Sequence, residues 1–345
     1  MIFSQKILLW YAKNKRTLPW RSTRDPYRIW LSEIMLQQTR VAQGQPYYLK
    51  FIGQFPTVND LANASEERVL KLWQGLGYYS RARNLHATAK MVVSDYGGNF
   101  PETYEELLKL KGVGDYTASA IASICFDEPE PVVDGNVYRV LSRFYGVELP
   151  INSTKGVGFF KELAREVMNV DNVRDYNQGI MEFGAMQCTP KNPDCSLCPL
   201  NDGCIALQKN KVGAWPVKIN KTRVKNRYFN YLVFIDPNNR SLLNQRRGKG
   251  IWQNLWEFPL LETEKKININ ELGTKYEKVV SIDDKPDIYQ FNQKEIIHKL
   301  SHQHLHTKFW IFKTQLELKD GIAFSTLKNY PVPVLIADFI KTFKI

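Results

Sequence analysis

The segment Leu110-Lys-Gly-Val-Gly-Asp-Tyr116 connects two stretches with helical apolar spacing, one from Tyr104 to Leu108 and one from Tyr116 to about Phe126. Its two glycines, Gly112 and Gly114, permit a tight hairpin because glycine tolerates backbone angles that other residues avoid. Free N–H groups at the start of the second helix then face outward, where a phosphate oxygen can bind. A Gly-x-Gly turn on its own is usually only a turn, so the segment by itself predicts no more than a hairpin between two helices.

The residues around this hairpin predict an all-helical first domain. From Ser4 to about Leu207 apolar residues recur at helical spacing, interrupted by Gly and Pro. A chain of 345 residues exceeds one ordinary core, so a second domain is expected. Ile205 to Arg227 contains seven Lys or Arg and no Asp or Glu, which is typical of a basic linker. We therefore predict a helical domain at 1–207, a linker at 208–227 and a second domain at 228–345.

The second domain has the pattern of a mixed α+β fold. Tyr228 to Ile235 is rich in aromatic and β-branched residues, and the turn sequence Asp236-Pro-Asn-Asn239 separates it from Ser241 to Gln245. This arrangement predicts a β-hairpin. Further strands are predicted at 276–282 and 309–316, and a helix at 333–341. Strands together with a helix indicate an α+β domain.

The charge of the chain favours a polyanionic partner. Its 47 Lys and Arg against 35 Asp and Glu give a formal net charge of +12, which makes nucleic acid the first partner to consider. The amino terminus, with Lys6 inside its apolar stretch, reads as an amphipathic helix and not as a signal peptide. No stretch approaches the roughly 18 uncharged apolar residues that a membrane span needs. We expect a monomeric cytoplasmic protein without a membrane partner.

Four of the five cysteines lie within seventeen residues, with the spacing Cys188-x6-Cys195-x2-Cys198-x5-Cys204. Prolines around them keep this loop from forming a helix, so the four thiolates can surround one metal centre. An iron–sulphur cluster and a structural zinc both use four cysteines, and paired disulfides are a third alternative. Cys125 lies in an Ala- and Ser-rich helical stretch and is predicted to be a buried small side chain.

Two carboxylates stand where helices can hold them in place. Asp134 precedes an apolar helical segment, so it is by pattern a helix N-cap, a position that also favours its ionised form. Helical spacing sets Glu33 beside Trp30, on a partly apolar face that raises a carboxyl pKa. By pattern alone, an exposed Glu33 that is paired with Arg40 or Arg28 is the preferred interpretation.

A third motif, in addition to the cysteine loop and the hairpin, is Ser32-Glu-Ile-Met-Leu-Gln-Gln-Thr39. Asp134 lies eighteen residues after Tyr116, the last residue of the hairpin segment. Together the three motifs resemble the adenine DNA glycosylase (MutY) family of the helix-hairpin-helix, endonuclease III superfamily. The resemblance covers residues 5 to 205. It implies a [4Fe-4S] cluster at residues 188–204, bound by the four cysteines, with a structural or DNA-positioning role.

The resemblance also implies roles for the residues that match the family motifs. Glu33 is expected to protonate the leaving adenine, and Asp134 to stabilise the sugar cation beside the scissile glycosidic bond. Tyr116 and Asn136 are expected to form hydrogen bonds around these two carboxyl groups. The expected DNA contacts of the helical domain, in the base stack, beside the flipped nucleotide or at phosphates, are Gln37, Gln38, Thr39, Tyr78, Arg81, Lys111, Gly112 and Gly114.

Position 116 bears on the reaction type. In endonuclease III relatives this place carries a lysine that forms a Schiff base and cuts the strand, whereas here it is Tyr116, and a phenol cannot form that imine. We therefore expect a monofunctional glycosylase that leaves an abasic site. Lys111 is a nearby amine in sequence and leaves weak lyase activity open.

Residues 242–259 resemble the start of a Nudix fold, but the Arg-Glu-x-x-Glu-Glu cluster that binds Mg²⁺ in Nudix hydrolases does not follow. In adenine glycosylases this fold, without that cluster, recognises the strand with 8-oxoguanine. The matching loop is Lys299-Leu-Ser-His302, in which Ser301 and His302 are expected to contact DNA and Leu300 replaces the Phe of many relatives.

The substrate that the resemblance implies is double-stranded DNA with adenine opposite 8-oxoguanine or guanine. One alternative is a thymine-mismatch or oxidised-pyrimidine glycosylase on the same scaffold. Another is a damage-binding protein without turnover. The intact Glu33 and Asp134 argue against the second alternative, because simple binding needs neither a general acid nor a carboxylate beside the sugar.

Overall fold

A computed structural model describes residues 2–219, 224–273 and 275–345 of the chain. Contacts within it define two compact units, one formed by Met1–Ala64 with Asn84–Asn220 and the other by Ser65–Arg83 with Lys221–Ile345. The predicted linker 208–227 includes residues 220–223, which lie outside the described residues. None of the described helices has the length and apolar content of a membrane-spanning segment.

The chain before residue 209 folds into helices joined by loops. In chain order they are α1 (Ile2–Asn14), α2 (Pro26–Leu36), α3 (Val41–Gln54), α4 (Val58–Asn63), α5 (Glu66–Trp73), α6 (Ser80–Tyr96), α7 (Tyr104–Leu107), α8 (Asp115–Phe126), α9 (Gly135–Tyr145), α10 (Thr154–Val167), α11 (Val173–Met186) and α12 (Ile205–Gln208). The helical character predicted for this part of the chain is confirmed.

The helix α8 lies in the core of the first unit, where every residue from Thr117 to Cys125 is buried. Its Ala and Ser side chains are small, so α2, α7 and α11 can pack closely against it. The helix α9 also packs against α11. The helices that carry the candidate catalytic residues therefore share one core.

The predicted hairpin between α7 and α8 is confirmed. Gly112 has a φ of +78°, in the left-handed region, and a Cβ at this position would come within 2.8 Å of the Asn84 side chain. Gly114 is the N-cap of α8. Glycine at position 112 is therefore required both by the backbone angle and by the neighbouring side chain.

The second unit contains a mixed sheet and two further helices, as predicted for an α+β domain. Its strands are β1 (Lys225–Ile235), β2 (Arg240–Ser241), β3 (Asn244–Gln245), β4 (Trp256–Glu257), β5 (Leu260–Thr263), β6 (Asp287–Gln290), β7 (Ile296–Lys299), β8 (Gln303–Lys313) and β9 (Ile322–Ala323), and its later helices are α13 (Ile269–Leu272) and α14 (Val334–Thr342). The strand β1 pairs parallel with β8 and antiparallel with β5, and β8 also pairs with β6 and β7. Phe339 of α14 stacks on Phe309 of β8, with ring centroids 4.2 Å apart.

The β-hairpin predicted from residues 228–235 and 241–245 is wrong. The strand β1 pairs with β5 on one edge and with β8 on the other, so both of its edges are occupied. The Asp236 carboxylate accepts hydrogen bonds from the backbone N–H groups of Arg240 (2.8 Å) and Leu318 (3.1 Å), which fix the turn that follows β1. The strand β2 instead pairs with β9, and β3 pairs with β4.

The strand predicted at 276–282 is also wrong. Lys275–Lys278 forms a short 3₁₀ helix, and the Tyr276 ring packs 4.9 Å from that of Phe312. Its aromatic and β-branched residues therefore reflect packing in the core and not strand pairing. The strand predicted at 309–316 is confirmed as far as Lys313 by β8, and the helix predicted at 333–341 is confirmed by α14.

Candidate active site

Glu33 lies on the buried side of α2. This helix begins after Asp25, whose side chain caps it, and Pro26 occupies its first position. Glu33 is only 9% exposed. Arg28, one of the partners that the sequence left open, pairs instead with Asp25 at 3.5 Å. The exposed ion pair is therefore wrong for Glu33, because the helix turns this side chain into the core.

The Glu33 carboxyl group binds the phenol of Tyr116, which begins the helix after the hairpin. The Tyr116 hydroxyl donates to Glu33 Oε2 at 2.5 Å. Burial raises the pKa of Glu33 to about 7; the hydrogen bond from Tyr116 opposes this rise and the nearby Asp134 carboxylate reinforces it. Burial also raises the pKa of Tyr116 well above 10, so the phenol stays a neutral donor. A carboxyl group with such a pKa is partly protonated at neutral pH and can act as a general acid.

Asp134 caps α9 and faces the same cavity as Glu33. Its Oδ1 accepts from the backbone N–H groups of Asn136 and Val137, each at 2.8 Å, and its Oδ2 accepts from Asn136 Nδ2 at 2.7 Å. Burial raises the pKa of Asp134, and these hydrogen bonds oppose the rise. The side chain is therefore both a helix cap and a carboxylate held in one orientation at the cavity wall.

The cavity has a volume of about 460 Å³. The end of α2 contributes Gln37, Gln38 and Thr39 to its wall. Gln37 Nε2 donates to Thr117 Oγ1 at 3.3 Å, and Gln38 has a left-handed backbone with a φ of +56°. Left-handed angles are uncommon outside glycine and recur at functional sites. The three residues predicted from the signature motif thus stand beside Glu33 and Asp134.

An ion cluster that the sequence analysis missed forms another part of this wall. Arg16 and Arg21 both bind the buried carboxylate of Glu182, with the shortest contacts at 2.5 and 2.7 Å. Burial opposes ionisation, but the hydrogen bonds from the two arginines outweigh it and lower the pKa of Glu182 to about 2. Because Glu182 is 166 residues from Arg16 in sequence, no local pattern could have revealed this cluster.

The hairpin residues lie apart from this cavity. Lys111, Gly112 and Gly114 are exposed, and the Lys111 carbonyl accepts from Thr88 Oγ1 at 2.5 Å. Lys111 is not part of the cavity wall. The cations that line it, among the residues the structure describes, are Arg16 and Arg21, and no lysine is present there.

The remaining predicted DNA contacts belong to the second unit. Tyr78, Ser301 and His302 line one cavity of about 410 Å³, together with Leu300. The Tyr78 ring is half exposed, and its backbone φ is +47°. The structure thus brings together residues that are more than 200 positions apart in sequence.

Arg81 is turned into the protein. Its guanidinium donates to the Gly77 carbonyl at 3.2 Å and lies 5.6 Å from the centroid of the Tyr78 ring. Burial lowers the pKa of Arg81 to about 10. This side chain supports the loop that carries Tyr78, and a contact of its own with DNA stays a prediction.

The four clustered cysteines line one small cavity, while Cys125 is buried in α8. Arg143 is buried beside them, where its Nη1 lies 3.3 Å from Cys188 Sγ and also donates to the Thr189 carbonyl at 2.7 Å. In the described part of the chain, no three His, Cys, Asp or Glu side chains are arranged to hold a single metal ion. Four thiols around a common cavity fit the four-cysteine donor set that would hold an iron–sulphur cluster.

Three protein families match the chain. Residues 31–157 match the HhH-GPD superfamily base excision DNA repair proteins, and residues 188–204 match the iron-sulfur binding domain of endonuclease III. Residues 230–342 match the NUDIX domain. The cysteine loop is therefore a [4Fe-4S] site and not a zinc site, and the two predicted fold types are confirmed.

Individual proteins are similar to the chain over different lengths. An adenine DNA glycosylase of Buchnera aphidicola subsp. Schizaphis graminum is 37% identical over 88% of this chain and 86% of its own length. The structure of a thermostable thymine-DNA glycosylase is 32% identical with a TM-score of 0.56, over 60% of this chain and 96% of that one. A non-covalent endonuclease III–DNA complex, 22% identical with a TM-score of 0.53, covers 60% of this chain and 94% of that one and shares the fold.

Proposed function

The chain belongs to the adenine DNA glycosylase family, and we propose that it hydrolyses the N-glycosidic bond of adenine opposite 8-oxoguanine, or more slowly opposite guanine, without cutting the strand. It is a base excision repair glycosylase. The relative from Buchnera matches it over both fold types, whereas the likeness to a thymine-DNA glycosylase covers 60% of the chain. The longer match favours adenine over thymine as the base that is released.

The observation that carries this proposal is the pair of carboxyl groups at one cavity. Glu33, with its pKa near 7, is the general acid that protonates a ring nitrogen of adenine. Protonation turns the base into a neutral leaving group. Tyr116 keeps the Glu33 carboxyl oriented through its 2.5 Å hydrogen bond. Without a proton donor at this place, adenine would have to leave as an anion in a largely buried site.

The reaction also requires a negative charge beside the sugar, and Asp134 provides it. The bond breaks through an oxocarbenium-like state, which a nearby carboxylate stabilises. Three hydrogen bonds from Asn136 and Val137 hold that carboxylate in place before the charge on the sugar develops. A preorganised group needs no rearrangement during the reaction. Water then adds to the sugar and leaves an abasic site.

The absence of an amine from the cavity wall supports monofunctional chemistry. A lyase step needs a primary amine that attacks the sugar carbon and forms an imine. Tyr116 occupies the lysine position of the endonuclease III relatives, and no lysine lines the catalytic cavity among the described residues. We therefore propose that strand scission requires added alkali.

Recognition of DNA is proposed to use three surfaces. The exposed Gly112 and Gly114 present backbone N–H groups to a phosphate at the start of α8. Gln37, Gln38 and Thr39 contact the DNA stack at the mouth of the catalytic cavity. Tyr78, Ser301 and His302 surround the base opposite adenine, where the exposed hydroxyl of Ser301, now 3.3 Å from His302 Nδ1, can turn to 8-oxoguanine.

The [4Fe-4S] cluster, bound by Cys188, Cys195, Cys198 and Cys204, supplies structural order to the loop after α11 and not acid–base chemistry. Arg143 connects that loop to α9, the helix that Asp134 caps. We propose a monomer that acts in the cytoplasm, where reduced thiols can carry the cluster.

The experiment that tests this proposal is single-turnover base release from three duplexes, which carry adenine opposite 8-oxoguanine, adenine opposite guanine and thymine opposite guanine. Each reaction is analysed with and without alkali. We expect adenine release that is faster opposite 8-oxoguanine and scission that depends on alkali. Release of thymine alone would assign the protein to the mismatch class, and binding without release would make it a damage-binding protein.

A further inference from the structure

A turn at residues 250–254 forms one side of the cavity that Tyr78 and Ser301 line. Ile251 and Trp252 belong both to this turn and to the cavity wall. Trp252 has a φ of +59° and Asn254 a φ of +67°. A bulky aromatic residue disfavours the left-handed region, and such strain persists only where surrounding contacts hold it, often at functional sites.

Side chains of the helical segment in the same unit hold this turn. Arg83 Nη1 donates to the carbonyl of Gln253 at 2.9 Å, and Asn254 Nδ2 donates to Glu66 Oε1 at 2.5 Å. Glu66 and Arg83 both belong to the 65–83 segment, which also carries Tyr78. The turn is therefore tied to the segment that presents the Tyr78 ring.

Leu300 lines the same cavity as this turn. Leu300 offers a smaller contact area to a base than an aromatic ring would, so the apolar contact depends more on Ile251, while the buried Trp252 supports the turn from inside the unit. The Trp252 ring is held in place by two other rings, because its centroid lies 6.2 Å from that of Phe229 in β1 and 5.7 Å from that of His298 in β7. The turn is thus supported by the sheet and by Arg83 and Glu66.

We propose that Arg83 and Glu66 are positioning residues that hold the 250–254 turn at the spacing with which the cavity discriminates 8-oxoguanine from guanine. The inference rests on the proposed function, because it assumes that this cavity reads the base opposite adenine. The two bases differ only in polar groups on the five-membered ring. A rigid wall leaves a wrong polar group unpaired, whereas a loosened wall admits water to it and loses discrimination.

The test compares single-turnover adenine release, and duplex affinity, for adenine opposite 8-oxoguanine and opposite guanine. The variants are Arg83→Met, which removes the donor to Gln253, and Asn254→Asp, which sets two carboxylates against each other but keeps a residue that tolerates a left-handed backbone. Each variant is expected to lower the ratio of the two rates by about tenfold, the effect of losing one charge-assisted hydrogen bond. The change is expected mainly as faster release from the duplex with guanine, because the loosened wall no longer leaves its polar group unpaired.

A double variant, Glu66→Gln with Asn254→Asp, provides the rescue. The new amide then donates to the new carboxylate, so the tie returns with its polarity reversed and with no change in net charge. We expect the rate ratio to return to within about threefold of the wild type, since the hydrogen bond is restored. Arg240→Gln is the matched control, because Arg240 binds Asp236 in the same unit and does not line the cavity.

Two results would overturn the inference while the proposed function stands. One is a wild-type preference for 8-oxoguanine that none of the variants changes. The other result has two parts: Arg83→Met weakens binding of both duplexes equally, and Asn254→Asp has no effect. That result would mean that Arg83 contacts a DNA phosphate directly. A wild-type protein with no preference between the two duplexes would overturn the proposed function and this inference together.

Discussion

Replacing Glu33 by Gln separates the two consequences of burying a carboxyl group in the catalytic cavity. Glutamine has nearly the same size and can still accept the hydrogen bond from Tyr116, but it does not ionise and is no general acid. We expect adenine release to fall by about 10²- to 10⁴-fold, the usual contribution of general acid catalysis. We also expect the variant to be more stable than the wild type above neutral pH.

The size of the stability gain follows from the pKa of Glu33. The folded protein raises this pKa from 4.5 to about 7, chiefly through burial. The folded state therefore holds the proton more tightly than the unfolded state, so the free energy of unfolding falls as pH rises from about 4.5 to about 7. At about 1.4 kcal/mol per unit, the total fall is about 3 kcal/mol. Glu33→Gln lacks this loss, so its advantage over the wild type should reach about 3 kcal/mol by pH 8.

The assay measures unfolding in urea at pH 5, 6, 7 and 8 for both proteins, followed by far-UV circular dichroism. The exposed Glu105→Gln variant is the matched control, because it makes the same chemical change at the surface. Single-turnover adenine release is measured over the same pH range. For the wild type we expect a rate that is highest below pH 7 and falls above it, since the acid must carry its proton.

Two results would refute this reasoning. Urea curves of Glu33→Gln and the wild type that keep a constant separation from pH 5 to pH 8 would show that the folded state does not raise the pKa of Glu33. Full excision activity in the variant would show that another group supplies the proton. Because the two measurements are independent, a failure of one leaves the other conclusion standing.

The remaining predictions concern the neighbours of Glu33 and the cysteine loop. Asp134→Asn should lose about 10²- to 10³-fold in adenine release, the scale of removing one electrostatic stabiliser, while its thermal midpoint changes little, because Asn caps a helix as well as Asp. Tyr116→Phe removes a hydrogen bond that lowers the pKa of Glu33, so the alkaline limb of its pH–rate profile should move to higher pH; an unmoved limb would separate the two groups. Borohydride should trap no covalent protein–DNA adduct, and a trapped band on a denaturing gel would reveal an amine that reaches the sugar. Arg143→Gln should lose visible absorbance faster than the wild type in the presence of a chelator, because Arg143 binds Cys188 Sγ and the carbonyl that follows it.

Features made by residues close together in the chain could be predicted from the sequence. The hairpin needs a left-handed glycine at position 112, and the cap of α9 needs the Asp134 carboxylate two and three residues before the N–H groups it binds. The cysteine loop is a run of seventeen residues. In each case the hydrogen bonds or ligands are satisfied locally, so the order of residues carries the information.

Pairing of distant strands could not be predicted in this way. The residues of β1 predict a strand, but its partner β8 begins 78 residues later and lies parallel to it. The local sequence therefore predicted a hairpin between β1 and the strand that follows it in the chain. The occupied edges of β1 exclude it, because β5 fills one edge and β8, from much later in the chain, fills the other.

The chemical state of the candidate site depended on tertiary structure most of all. The sequence by itself determined that Glu33 stands on a helix with an apolar neighbour, and left it either exposed or buried. The structure brought Tyr116 to it from 83 residues away, and brought Glu182 to Arg16 from 166 residues away. The pKa of a carboxyl group is set by the solvent it loses and by the charges and donors around it. Those are properties of the packed core, and only the folded chain decides them.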